Sequence, residues 1–171
     1  TLITKSDYLL YTQCEKSFWL HKNKPEQLDN DQKQAVMDKG NDVTEMARTL
    51  FPGGTLVPYS PHPREMTTRT HDLIQAGVTT IYEAAFEYEG CYVICDILHK
   101  TQDAWAIYEV KSSTGVKPRH LDDVTFQFYV VANQLPTASI ALVHVNNAYT
   151  RIGELDVKQL FSIVDQTSHV L

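Results

Sequence analysis

Between Thr79 and Ser112 the chain carries three runs of β-forming residues, Thr79–Tyr88, Cys91–Lys100 and Trp105–Ser112, joined by links of a few residues. A parallel connection needs a crossover of a dozen residues or more, so short links predict an antiparallel meander. Glu89-Gly90 suits a two-residue hairpin turn, and Asp103-Ala104 lies near the second turn. After a loop over Ser113–Pro118, a helix is expected at about Leu121–Gln134, with Asp122 and Asp123 near its start. Ala138–Asn146 then contains SIALVHV, a nearly continuous apolar run that suits a central strand covered on both faces. The strand–helix–strand unit over about 105–145 predicts a right-handed crossover.

The flanks read mainly as helix. Ser6 is a candidate cap for a segment running to Asn23, broken near Thr12–Cys14 and stopped by Pro25. A second helix is expected from about Asp29 to Leu50, capped by Asp29 or Asp31. Its Val36, Met37, Val43, Met46, Ala47 and Leu50 recur at helical spacing. Pro52-Gly53-Gly54 ends it, Thr55–Tyr59 suits a short strand, and a third helix is expected over about Arg64–Ala76, ended by Gly77. Tyr149–Gly153 suits a short final strand. Asp156 is the expected cap of a last helix, with Val157, Leu160, Phe161 and Val164 on one face. The expected fold is α/β (α+β), with a central mixed sheet of about four to five strands flanked by helices. At 171 residues the chain supports one core. A single domain is expected, helical over about 4–76 and sheet-bearing over about 78–171.

Fifteen basic residues stand against 21 acidic ones, a net charge of −6. That balance excludes binding of nucleic acid by bulk charge, because little is available to neutralise phosphates. It leaves room for a metal-dependent enzyme, whose cation inverts the local sign. Cys14, Cys91 and Cys95 form no CxxC pair and no disulfide framework, which points to a reducing, cytoplasmic compartment. The longest apolar stretches are too short to span a bilayer, so no membrane association is expected. The opening TLITKSDYLLY lacks the form of a signal peptide, and the missing initiator Met suits an excised fragment. The seven histidines are scattered, and no Gly-rich phosphate loop or Ser-His-Asp order is present.

The residues that carry chemistry are Asp96 and, thirteen positions later, Glu109-Val110-Lys111. Asp96 interrupts the apolar run VICDIL, where a carboxylate needs a cation or hydrogen-bond partner. Glu109 and Lys111 lie two apart on one strand and share a face, with Val110 turned to the other. On neighbouring strands of a hairpin, Asp96 and Glu109 can converge into an oxygen-rich site of the Mg²⁺ type. Lys111 beside it can stabilise charge developing on a phosphate. Glu83, on the first strand of the meander, is a further candidate for the same cleft. The alternative for this set is a structural ion pair on a half-exposed sheet face. Lys117, Arg119 and His120 can touch phosphates or form a solvated loop. Tyr8, Tyr11, Phe18 and Trp19 can stack on bases or belong to the core.

Asp in one strand and Glu-x-Lys on the next, followed by a helix, resembles the PD-(D/E)XK nuclease superfamily. IYEAAF (81–86), CDIL (95–98), YEVKSST (108–114), HLDDVTFQFYV (120–130) and the opening TKSDYLLYTQCEKSFWL (4–20) resemble its RecB-type exonuclease branch. They are similar to the CRISPR-adaptation exonucleases and to the N-terminal nuclease-like domain of uncharacterised bacterial proteins. The resemblance implies a restriction-endonuclease-like core and Mg²⁺- or Mn²⁺-dependent hydrolysis of DNA, at ends or on single strands, as in DNA repair. It implies Asp96 and Glu109 as metal ligands, Val110 as a carbonyl ligand and Lys111 as the catalytic lysine. Gln127 matches the glutamine on the following helix, and Glu45, in GNDVTEMARTLF (40–51), falls where the family completes the metal shell. Val131 stands where the branch commonly has Tyr, and no cysteine follows Cys95, so no iron–sulfur cluster is expected in this chain. A weak or inactive binding module of a larger bacterial protein, dependent on a missing C-terminal domain or partner, is the alternative.

Overall fold

The computed structural model describes residues 2–24 and 42–171. The meander forms as its short links require: β3 (Thr80–Tyr88), β4 (Cys91–Thr101) and β5 (Ala104–Lys111) pair antiparallel in sequence. Glu89 and Gly90 both take positive φ, 48° and 77°, the backbone of a two-residue hairpin turn whose twist matches its strands. Helix α5 (Pro118–Ala132) then returns the chain to β6 (Thr137–Val145), which runs parallel to β5. The apolar run in β6 is central: Ile140, Leu142 and Val143 are buried, and β7 (Phe161–Asp165) closes that side antiparallel.

Among the described residues the sheet therefore has seven strands: β2 (Thr55–Leu56), β3, β4, β5, β6 and β7 in that order, with β1 (Ile3–Thr4) also paired to β4. The expectation of four to five strands falls short for two reasons. β1 is two residues long, too short for any periodicity to register, and β2, expected over Thr55–Tyr59, is strand only over Thr55–Leu56. Phe161–Asp165 was expected to continue a helix from Asp156. Asp156 does cap a helix, α6, but it ends after Val157–Leu160. Phe161, Ser162, Ile163 and Val164 instead hydrogen-bond along β6, because β-branched residues beside an open sheet edge find their backbone partners there. Tyr149–Gly153 forms no strand. Its Tyr149 hydroxyl accepts the Asp156 N–H at 3.0 Å, tying the loop to the start of α6.

Helices cover both faces. On one, α4 (Pro63–Gln75), α5, α1 (Lys5–Gln13) and the short α7 (Thr167–Val170) pack over Val93, Cys95, Leu98, Ile107 and Val124. On the other, residues 42–48 form the described part of α3. Its Ala47 packs with Ile97, Val110, Val143 and Phe161. The expected start of that helix, with Asp29, Asp31, Val36 and Met37, and the stop at Pro25 lie outside the described residues. The break near Thr12–Cys14 separates α1 from α2 (Glu15–Asn23).

The cap of α1 is Thr4, not Ser6. Thr4 Oγ1 accepts the Asp7 N–H at 3.2 Å and Asp7 Oδ2 accepts the Thr4 N–H at 3.0 Å, a reciprocal capping box. Asp7 is only 3% exposed, and Lys22 of α2 neutralises it at 2.7 Å. One carboxylate thus joins β1, α1 and α2, and sets Lys5 as the first residue of α1. Asp7→Ala is expected to lower the unfolding free energy by about 2 kcal/mol. Asp7→Asn, which keeps an acceptor but not the charge, should lose less; urea denaturation measures both.

Candidate functional site

The site lies at a gap in the sheet. β3 holds one whole edge of β4. The other edge is shared: β5 pairs with it from Thr101 back to Ile97, and β1 pairs only at Cys91 and Tyr92. Between them, around Val93–Asp96, no strand among the described residues fills the edge. The Val110 N–H is hydrogen-bonded there by a side chain, donating to Asp96 Oδ2 at 2.7 Å. A carboxylate interrupting VICDIL thus satisfies a backbone donor where a ladder ends.

The register sets three acids in a row across the sheet. Ile97 pairs with Tyr108, so Asp96 and Glu109 are the next residues on each strand. Tyr82↔Ile97 and Ala84↔Cys95 bracket Glu83 and Asp96 in the same way. Glu83 has φ 56°, an unusual conformation for a residue with a Cβ inside a strand. The predicted convergence of Asp96 and Glu109 is therefore observed, and Glu83 joins them. As alternation requires, Val110 turns to the α3 core while Glu109 and Lys111 turn toward α1 and α5.

Glu109 is the centre, 2% exposed. Its Oε1 accepts from Lys111 Nζ at 2.6 Å and from Lys5 Nζ at 2.8 Å, and its Oε2 accepts from Gln127 Nε2 at 2.8 Å. Gln127 Nε2 also donates to Asp123 Oδ1 at 2.8 Å, and Lys111 Nζ donates to Asp123 Oδ2. With both amide protons on carboxylates, the Gln127 orientation is determined, and its buried Oε1 has no partner among the described residues. Gln127 is wholly buried and positions acids; it is not placed to reach a ligand directly. Glu45 is exposed and lines a cleft of about 460 Å³ with Glu83, Asp96 and Arg48. Arg48 pairs with Glu83 at 2.5 Å.

Lys5, Asp123 and Arg48 were not singled out as site residues. Asp123 had a readable signal, lying four residues before Gln127 and so on the same helix face. Lys5 and Arg48 had none, because only the tertiary fold brings their helices to the sheet. On the α1–α5 side a second cleft, about 660 Å³, reaches Lys111 and Asp123 past Arg119 and His120. Tyr8 stacks on Phe126 at 4.7 Å and belongs to the core, whereas Tyr11 and Trp19 are half exposed. Tyr129, the nearest tyrosine to Gln127, donates to Glu89 at 2.9 Å, well away from this cluster in the sheet.

The electrostatics follow from this packing. Burial opposes charge on Glu109, but Lys111 and Lys5 outweigh it and hold its carboxyl well below the usual range. Burial, then the Glu109 charge, pushes Asp96 up to about 8. Burial and Glu109 likewise raise Asp123, and burial raises Glu83 against the pull of Arg48. Lys111 is desolvated, yet Glu109 and Asp123 keep its pKa above the ordinary value, so it stays an ammonium. Burial, with Lys111, Arg119 and Lys117 nearby, pushes His120 down to about 4.

The donor chemistry fits a hard divalent cation. Asp96, Glu109 and Glu83 offer oxygen, and the proton affinity of Asp96 marks a place short of positive charge. Among the described residues no three His, Cys, Asp or Glu side chains form a ready metal-binding group. Glu109 is already bonded through both oxygens, so a cation there must take the place of a present partner.

No protein-family model matches the chain, and no curated protein matches it. Among solved structures, the one titled "Crystal structure of SSO0001" aligns over 96% of this chain and 81% of that one. It does so at 10% identity with a TM-score of 0.32, too slight a likeness to carry an argument. No helix among the described residues is long and apolar enough to cross a membrane.

Because folded Asp96 keeps its proton to about pH 8 and an unfolded Asp releases it near 3.8, the folded state binds more protons in between. Stability of the metal-free chain is therefore expected to fall as pH rises to 8, by on the order of 1 kcal/mol per pH unit. His120 acts in the opposite direction only below about 6.5, so it does not offset the Asp96 slope between 6.5 and 8. Asp96→Asn should flatten the slope there, read from denaturant midpoints in chelator at each pH.

Proposed function

We propose that the chain is a divalent-metal-dependent nuclease that hydrolyses DNA phosphodiester bonds, at ends or on single strands. The observation that carries the reading is the row Glu83, Asp96 and Glu109 across three strands, with Lys111 held as an ammonium beside it. Asp96 and Glu109 would hold Mg²⁺ or Mn²⁺, with Glu83 and Glu45 in the cleft that reaches Asp96 and the Val110 carbonyl as a further oxygen. When bound, the ion supplies a water acidic enough to act as nucleophile and a positive charge beside the phosphate.

The chain's own residues do the rest. Lys111 cannot serve as a base, because Glu109 and Asp123 keep it protonated. Its ammonium suits the extra negative charge that develops on the phosphoryl oxygens as water adds and the ester oxygen leaves. Gln127 and Asp123 hold Glu109 and Lys111 in place through hydrogen bonds on both carboxylates. Arg119 and His120 line the cleft that reaches Lys111, where a phosphate backbone would lie. The order Asp, Glu-x-Lys, then a Gln-bearing helix, which resembles the PD-(D/E)XK nucleases of the RecB type, supports the same reading.

The completeness of the ion pairs favours a second reading, a binding module on the same scaffold whose charge cluster is structural. Cleavage of linear and circular DNA with Mn²⁺ separates the two. Asp96→Ala and Lys111→Ala are each expected to lower the rate about 100-fold or more, with the fold retained by circular dichroism. Cleavage by the wild type that both variants match, or none at all, overturns the enzyme reading.

A further inference from the structure

We propose that Lys5 is a built-in cation that occupies the acidic centre in the metal-free chain, and that a divalent ion binds by displacing it. The inference rests on the metal-dependent reading above, and concerns which residue gives way. Two ammoniums, Lys5 at 2.8 Å and Lys111 at 2.6 Å, converge on the single oxygen Glu109 Oε1. Each disfavours the other's charge, and only the carboxylates around them keep both protonated. Lys5 also lies 3.4 Å from Asp123 Oδ1 and within the field of Asp96. It therefore sits where positive charge from an added ion would have to go.

Of the two lysines, Lys5 is the exchangeable one. Lys111 ends β5, where it is held in register with His144 of the buried strand β6. Lys5 follows β1, a two-residue strand held by two register positions on β4 and an Ile3 N–H to Gly90 carbonyl bond of 2.8 Å. Its long stem lets the ammonium swing out without moving α1. The geometry points the same way: Lys5 faces Asp123 Oδ1 as well as Glu109 Oε1, so its departure uncovers oxygens of two carboxylates for one ion.

Mn²⁺ affinity of the full chain, read by titration calorimetry at one pH and without DNA, tests this. Lys5→Met, which keeps the stem and removes the charge, is expected to bind Mn²⁺ at least tenfold more tightly than the wild type. Lys5→Arg, which keeps the charge, should remain near the wild-type value and guards against an effect of altered folding. If the wild type and Lys5→Met bind Mn²⁺ equally, or Lys5→Met binds more weakly, the displacement inference is overturned and the metal site survives. If neither binds Mn²⁺, the metal reading itself falls, and the inference with it.

Discussion

The structure around the centre depends on keeping one buried carboxylate charged. Glu109 is almost wholly out of water, and an unpaired charge there would cost several kcal/mol. Three donors from three elements meet the need: Lys111 on the same strand, Gln127 on α5 and Lys5 on α1. Each bond is also a constraint on packing. Gln127 can reach only if α5 lies across the sheet at this level, and Lys5 only if α1 starts beside the gap in β4. The Thr4–Asp7 box and the Asp7–Lys22 pair place that start. The charge requirement of one side chain thus couples the N-terminal helices to the central meander.

The gap itself is a consequence of strand sharing. β4 is eleven residues long, and its second edge is divided between β1 and β5. Where neither reaches, backbone donors need other partners, and Asp96 supplies one for Val110. Glu83, with its positive φ, marks the same level on β3. Burial, and then the Glu109 charge beside it, raises the proton affinity of Asp96, while Lys111 and Lys5 outweigh burial and lower that of Glu109. The two differ in the company they keep: two ammoniums touch Glu109 and one backbone N–H touches Asp96.

Much of this was legible in the residues. The meander, its Glu89-Gly90 turn, the α5 crossover and the buried β6 all follow from link length, turn chemistry and apolar runs. So does the shared face of Glu109 and Lys111, because strand alternation is strict. Two kinds of feature were not legible. A strand of two residues carries no period, so β1 leaves no signal, and β2, expected over Thr55–Tyr59, ends at Leu56. Phe161–Asp165 was expected as helix because Val157, Leu160, Phe161 and Val164 fit a helical stripe; the open edge of β6 decided otherwise.

The sequence by itself determined that Asp96, Glu109 and Lys111 would meet, since adjacent strands and a period of two leave little freedom. It also determined Asp123 and Gln127 as a pair on one helix face. Only the tertiary structure decided what surrounds them: that Lys5 arrives from 104 residues away to share Glu109, and that Arg48 reaches Glu83 from α3. The physical reason is range. Local periodicity places side chains relative to their own strand or helix, whereas a buried charge is neutralised by whichever ammonium the packing of distant elements brings within about 3 Å.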